Sequence, residues 1–432
     1  MVFSIAKFIK ICYNFLSMGT YQTPRGTVDY LPDKTPLWQT IERTARHIFE
    51  LYNYQEIKTP IFESTELFTS SIGGDTDIVS KEMYTFLDKK GRSLTLRPEG
   101  TAAIARSYIQ HALHRKGKHH LLFYVGPMFR YERPQAGRFR QFTQIGVENI
   151  GSPDPACDAE VIIMGIQLFK ALGIHGIVPQ LNTVGCPICR PVIEERLKQF
   201  LESSLPALCG DCQTRFGTNP LRILDCKKSS CTPYFSAMPD IRQSICQACH
   251  DHFDQVLTYL DTHGVTVEIN PNLVRGLDYY NRTAFELVSN HLGSQNAICG
   301  GGRYDSLISR LGGPSSPAVG FAFGMERLMA LVDTAIPPVP MVYIGCLDDD
   351  HYSYCFSLAH QLRDHRIKAI HHRDALSING HLKRASKSNA ALSVIIQPDG
   401  QSATVYASGQ TTLPMTDVLA HIIEHTPQTP MM

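Results

Sequence analysis

The densest chemistry in the chain lies between positions 129 and 148. Phe129-Arg130-Tyr131-Glu132 is followed by Arg133, Arg138 and Arg140, then by Gln141-Phe142-Thr143-Gln144 and Glu148. Alternate residues of a strand share a face, so Arg130 and Glu132 point together, as do Phe142, Gln144 and, beyond Gly146, Glu148. Such a face can grip a polyphosphate with arginine forks, stack a base on Phe142, and leave Gln144 and Glu148 to a small polar ligand. A surface hairpin whose arginines pair with nearby carboxylates accounts for the same spacing.

Three further stretches carry polar groups at turns. Arg97-Pro98-Glu99-Gly100-Thr101 ends a strand and opens a helix. Glu99 and Thr101 could accept from an ammonium group or cap the helix. Leu273-Val274-Arg275-Gly276-Leu277-Asp278-Tyr279-Tyr280 sets a charge pair and two tyrosines beside a glycine, either as core or as a pocket for an aromatic polar side chain. Gly324 ends a strand and Arg327 sits in the first turn of the next helix, where an anion is favoured. A solvated helix arginine explains that position equally.

Of thirteen cysteines, eight fall between Cys186 and Cys249 as Cys186/Cys189, Cys209/Cys212, Cys226/Cys231 and Cys246/Cys249. An odd total in a long chain without a secretory signal points to metal or free thiols in a reducing compartment rather than to a disulfide framework. Two CxxC pairs about twenty residues apart form a zinc pattern, so a structural Cys₄ site from Cys186, Cys189, Cys209 and Cys212 is expected, with room for a second.

These residues need elements to hold them. At 432 residues the chain is long enough for two or three domains. Hydrophobic residues at 43% and charged ones at 19% exclude disorder, and no uncharged span is long enough for a membrane helix. A net charge of +1 leaves any nucleic-acid contact to local patches. Leu37, Ile41, Ile48 and Leu51 predict a helix, Tyr54 to Thr59 a strand, and Tyr84 to Leu87 with Ser93 to Leu96 a hairpin. Leu121 to Tyr131 and Gln141 to Asn149 predict a second hairpin. Residues 184 to 262 read as a Cys-rich insertion with a helix through Ile193, Leu197, Phe200 and Leu201. After prolines 337, 338 and 340, alternating strands and helices predict a small α/β domain. Residues 1 to 17 read as an extension.

Phe129 to Glu132 with the following loop resembles motif 2 of class II aminoacyl-tRNA synthetases, and Gly320 to Leu328 resembles motif 3. Leu273 to Tyr280 and Gly300-Gly301-Gly302-Arg303-Tyr304-Asp305 are similar to the signatures of histidyl-tRNA synthetases. The resemblance implies an α+β fold: an antiparallel sheet flanked by helices over residues 18 to 336, and an anticodon-binding α/β domain over 341 to 432. The match is looser from Val394 to Leu413. The helix and strand after Leu37 would be the dimer contact.

The implied activity is histidine–tRNA ligation through a histidyl adenylate, using ATP with Mg²⁺, in a cytoplasmic homodimer whose partner is tRNA(His). Arg130 and Arg275 would be catalytic. Glu99, Gly100, Thr101, Gln144, Glu148, Arg275, Tyr279 and Tyr280 would bind histidine; Arg130, Glu132, Arg138, Phe142 and Arg327 would bind ATP. Arg366, Lys368, Arg373, Lys383, Arg384 and Lys387 could meet RNA phosphates. An inactive regulatory subunit of histidine biosynthesis and an RNA sensor on the same fold are the rival readings.

Overall fold

A computed structural model describes residues 21–74, 76–133, 137–235, 238, 240–289, 297–332 and 340–427; the extension at residues 1 to 17 lies outside them. The chain divides into two compact units that part between residues 334 and 335.

In the first unit the strands are β1 (Gln55–Glu56), β2 (Phe62–Ser64), β3 (Tyr84–Leu87), β4 (Ser93–Leu96), β5 (His120–Phe129), β6 (Gln141–Ile150), β7 (Ile177–Thr183), β8 (Glu268–Ile269), β9 (Asn281–Ser289), β10 (Ala297–Arg303) and β11 (Ala318–Gly324). Eight of them form one sheet in the order β1-β5-β6-β11-β10-β9-β7-β8. Pairing is antiparallel from β5 through β7 and parallel at the two edges. Strands β2, β4 and β3 make a small separate sheet. Both expected hairpins are present, whereas the Tyr54–Thr59 strand shrinks to two residues at the sheet edge.

Side-chain alternation divides the large sheet into two unlike faces. Ile145, Val147, Phe285, Leu287, Val319, Phe321 and Phe323 point into the main core. There they meet helices α1 (Thr35–Leu51) and α4 (Pro155–Ala171). Helix α1 presents Ile41, Ala45, Ile48 and Phe49 to that core, while Leu51 is 67% exposed; Phe49, at i+8 from Ile41, completes the stripe where the spacing had placed Leu51. Helix α4 starts cleanly because Asp154 accepts from the Ala156 N–H and Pro155 occupies the first turn.

The cysteine-rich segment holds α5 (Arg190–Leu201), α6 (Gly210–Thr218) and α7 (Gln247–Thr262). Ile193, Leu197 and Leu201 are buried as their spacing predicts. Helix α7 does not stay with the insertion: Phe253, Val256 and Leu260 join the main core against α4. Beneath it, Arg303 of β10 lies fully buried and ion-paired to Asp158 of α4, which also meets His252 of α7 at 3.3 Å. This pair ties three elements together without touching the site.

The second unit has strands β12 (Met341–Cys346), β13 (Lys368–His371), β14 (Leu392–Ile396), β15 (Ser402–Tyr406) and β16 (Gln410–Pro414) in the order β13-β12-β14-β15-β16. Its first three strands are parallel, and β15 and β16 add an antiparallel hairpin that the sequence reading lacked. Among the described residues, no helix is long and apolar enough to cross a membrane.

Candidate active site

The sheet face opposite the core is paved with small residues where neighbouring strands are in register. Gly300 of β10 lies between Glu286 of β9 and Ala322 of β11, which in turn faces Gly146 of β6. Gly302 adjoins Gly320, which adjoins Glu148. A Cβ at position 300 would run into the Arg275 guanidinium, and one at position 320 into the Glu148 carboxylate. The glycines thus let two functional side chains lie flat on the sheet.

Two connected cavities rest on this floor. The larger, about 280 Å³, is lined by Arg130, Glu132, Arg138, Phe142, Arg275, Glu286, Glu326 and Arg327 among others. The smaller, about 70 Å³, is lined by Glu99, Thr101, Glu148, Tyr279, Tyr280 and Tyr304 among others. Arg130, Gln144, Arg275, Gly300 and Ala322 border both. A small ligand in the inner cavity and a larger one in the outer cavity would meet at Arg130 and Arg275.

The outer cavity is cationic. The Arg130 Nε donates to the Pro98 carbonyl at 2.9 Å, and its guanidinium lies 5.4 Å from the Phe142 ring centre. Glu132 receives Arg138 at 3.1 Å and Arg130 at 3.8 Å. Arg327, on helix α8 (Met325–Met329), donates to the Ala297 carbonyl at 2.6 Å and has no carboxylate partner among the described residues. Burial, with the Arg138 cation beside it, holds the Arg327 guanidinium below the usual arginine range. A buried cation facing another cation is stabilised by an anion. Glu326, beside it, is pushed up to about 7 by burial.

The inner cavity is smaller and holds two carboxylates, Glu99 and Glu148. Both Glu99 oxygens accept backbone N–H groups, from Thr101 at 2.7 Å and Ala102 at 2.8 Å, so Glu99 caps helix α3 (Thr101–Gln110) while lining the cavity. Gly100 is the helix N-cap and donates its N–H to Gln144 Oε1 at 3.2 Å. The Thr101 hydroxyl donates to Glu148 Oε1 at 2.7 Å, and the Tyr304 hydroxyl donates to the other Glu148 oxygen. Burial pushes Glu148 up to about 8 despite these two donors. The Tyr279 ring lies between Tyr280, tilted against it at 4.7 Å, and Tyr304, edge-on at 5.5 Å. Burial pushes Tyr280 up to about 12, leaving its hydroxyl a donor near neutrality.

Arg275 pairs with Glu286 on the adjoining strand. Its Nε is buried without a hydrogen-bond partner among the described residues. Every residue assigned from the sequence to nucleotide or small ligand therefore borders one of the two cavities except Gly100, whose N–H holds Gln144 from behind. Four others were missed: Tyr304, Glu286, Glu326 and Tyr124, whose hydroxyl donates to Gln144 Oε1 at 3.2 Å. Tyr304 stood inside the Gly300–Asp305 run, the one signal that could have found it.

The cysteines group otherwise than expected. Cys186 and Cys189 meet Cys246 and Cys249, whereas Cys209 and Cys212 meet Cys226 and Cys231. The expected set of Cys186, Cys189, Cys209 and Cys212 is thus divided between two clusters, because the starts of α5 and α7 meet in one apolar cluster while Cys212 and Cys231 belong to another.

The family model for histidyl-tRNA synthetase matches residues 26–196 and 236–328. A histidine–tRNA ligase from Halothermothrix orenii is 47% identical over 392 residues, covering 89% of this chain and 94% of that protein. The crystal structure of apo histidyl-tRNA synthetase from S. aureus matches 94% of this chain and 100% of that one, with a TM-score of 0.79 at 35% identity. An ATP phosphoribosyltransferase regulatory subunit/histidyl-tRNA synthetase from Bacillus halodurans matches with a TM-score of 0.64 at 21% identity, a likeness of fold alone. With its motifs gathered around the two joined cavities and its match to the family model running along more than half its length, the chain belongs to the histidyl-tRNA synthetase family.

Proposed function

We propose that the protein ligates L-histidine to tRNA(His) in two steps on this one face. The carrying observation is the junction of a cationic cleft, in which Arg327 has no carboxylate ion-pair partner among the described residues, and a carboxylate–tyrosine pocket, joined at Arg130 and Arg275. ATP occupies the cleft, with Arg130 at the α-phosphate, Arg138 and Arg327 toward the γ-phosphate, Phe142 against the adenine, and Glu132 orienting the two arginines it pairs with. Histidine fills the pocket: Glu99, Thr101 and Gln144 surround its ammonium group, and Glu148, Tyr279 and Tyr280 its imidazole.

In the first step a histidine carboxylate oxygen attacks the α-phosphorus, and the bond to the bridging oxygen of the β-phosphate breaks. Pyrophosphate leaves with the electron pair. Arg130 and Arg275 stabilise the charge that gathers on the α-phosphate, so catalysis is positioning plus neutralisation with no enzyme-bound intermediate. In the second step the terminal ribose hydroxyl of the tRNA attacks the acyl carbon. AMP departs and the hydroxyl proton is released.

Glu326 Oε2 is buried and without a hydrogen-bond partner among the described residues, while Oε1 accepts from the Thr143 N–H at 2.8 Å. With Glu286 on the same cleft, it suits a hard cation held partly by substrate phosphates. Mg²⁺ bound there would neutralise the leaving pyrophosphate.

Twelve described cysteines are free, as in a reducing cytoplasm. The cysteine clusters are read as structural zinc sites. Leu51, Ile61 and Phe62 expose apolar surface at the end of the helix that follows Leu37 and just beyond it, supporting a homodimer that covers this stretch. In the second unit, Arg366, Lys368, Arg373, Lys383 and Lys387 are exposed and suit anticodon-stem phosphates; Arg384 is held by Asp374 at 2.8 Å.

The decisive experiment is exchange of labelled pyrophosphate into ATP with each amino acid in turn. Exchange with histidine alone is expected. Well-folded protein that binds tRNA or a biosynthetic enzyme but does not exchange would overturn the reading in favour of a sensor or regulatory subunit.

A further inference from the structure

Each cysteine cluster has four Sγ atoms lying within 4.8 Å of one another. In the first, the Cys186–Cys189, Cys189–Cys249 and Cys186–Cys246 sulfurs are 3.5, 3.8 and 4.0 Å apart. In the second, Cys209 and Cys226 are 3.9 Å apart and the Cys209 N–H donates to the Cys231 sulfur at 3.2 Å. A tetrahedral Zn²⁺ with bonds of about 2.3 Å sets its sulfurs about 3.8 Å apart. These separations are too long for a disulfide and suit a single ion. Three CxxC pairs sit where helices begin, with Cys189, Cys209 and Cys246 as N-caps.

The second cluster lies in residues 197–235, the stretch the family model leaves unmatched. Its ligand Cys226 directly follows the short two-turn 3₁₀ segment Pro220–Asp225. Ile223 of that segment packs with Cys212 and Cys231, whereas Leu221 and Leu224 pack with Cys189, Cys249 and Val274. Between them the buried Arg222 side chain donates to the Gly276 carbonyl. Asn219, just before the segment, donates to Asp278 at 2.9 Å and receives Arg190 of α5 at 3.3 Å. Gly276 and Asp278 stand on either side of Leu277 in the loop that carries Arg275 and Tyr280.

We propose that the eight cysteines hold two zinc ions in two separate tetrathiolate centres, and that the Cys209/Cys212/Cys226/Cys231 centre fixes the Leu273–Tyr280 loop through Arg222. A metal ion some way from the reaction thereby positions the arginine that serves it. Zinc anchors Cys226, Cys226 fixes the end of the Pro220–Asp225 segment, and the segment aims Arg222 at Gly276. Arg222 is a positioning residue, since it touches the loop rather than the cavity floor.

The test uses full-length protein purified without added metal, with zinc and iron counted per chain and amide hydrogen exchange followed in peptides spanning residues 273–280. Two zinc ions are expected in the wild type and one in each of Cys226→Ser and Cys246→Ser. Cys226→Ser should speed exchange in the loop. Arg222→Met should retain both zinc ions yet reproduce the faster loop exchange and raise KM for histidine about tenfold with a smaller change in KM for ATP. Folded wild type with less than one zinc per chain, iron in its place, or an unchanged loop in Arg222→Met would overturn the proposal. Its functional consequence rests on the ligase reading, but zinc content and loop exchange do not. Protein that fails pyrophosphate exchange while holding two zinc ions and an Arg222-dependent loop would sink that reading and leave this one standing.

Discussion

At the scale of single residues, two groups carry opposite burdens. Arg275 reaches both cavities and is balanced by Glu286. Arg275→Ala is expected to lower the rate constant for histidine-dependent pyrophosphate exchange by about 10²–10³-fold, and Arg275→Lys to recover only part, since an ammonium lacks the planar fork. Equal exchange by wild type and Arg275→Ala would remove Arg275 from the reaction. Glu148 bears a burial cost instead. Its folded pKa of about 8 stands above the ordinary 4.5, so the folded chain holds a proton the unfolded chain has lost. Stability contributed by this group is present below pH 4.5, falls as pH climbs to about 8, and is constant beyond. Glu148→Gln, which cannot ionise, should therefore gain melting temperature relative to wild type between pH 5 and pH 9 while losing histidine affinity. A constant difference across that range would refute the burial argument.

Elements decide where these residues point. Alternation along β6 was legible because strand periodicity is local: Phe142, Gln144 and Glu148 face the cavities while Ile145 and Val147 enter the core. The Tyr304–Glu148 bond, between residues 156 apart, had no local signature. Nor had the buried Arg303–Asp158 pair, which locks β10 to α4. Arg303→Met should lower the unfolding free energy by about 3–5 kcal/mol by leaving Asp158 uncompensated, measured by chemical denaturation. The double variant with Asp158→Leu should recover part of that loss. The double role of Glu99 also belongs here, since one carboxylate both accepts the first N–H groups of α3 and lines the pocket.

At the scale of the molecule, each unit has its own core, the second around Val342, Ile344, Leu358, Val394 and Ile396. Deletion of residues 335–432 is expected to leave histidine-dependent exchange largely intact and to raise KM for tRNA in the charging assay; loss of exchange from a folded fragment would show that the first unit does not suffice. The sequence alone determined the family, the two hairpins, the α/β order after Pro340 and the charged and polar groups of the motifs that line the cavities, because motifs, turns and periodicity are written in neighbouring residues. Only tertiary structure decided that Leu51 faces outward, that α7 leaves the insertion for the main core, and that Cys186/Cys189 joins Cys246/Cys249 rather than Cys209/Cys212. Spacing along a chain fixes which face a residue takes on its own element. Which elements then meet is set by the packing of apolar surfaces far apart in sequence, and the four-sulfur sets are made where those surfaces meet.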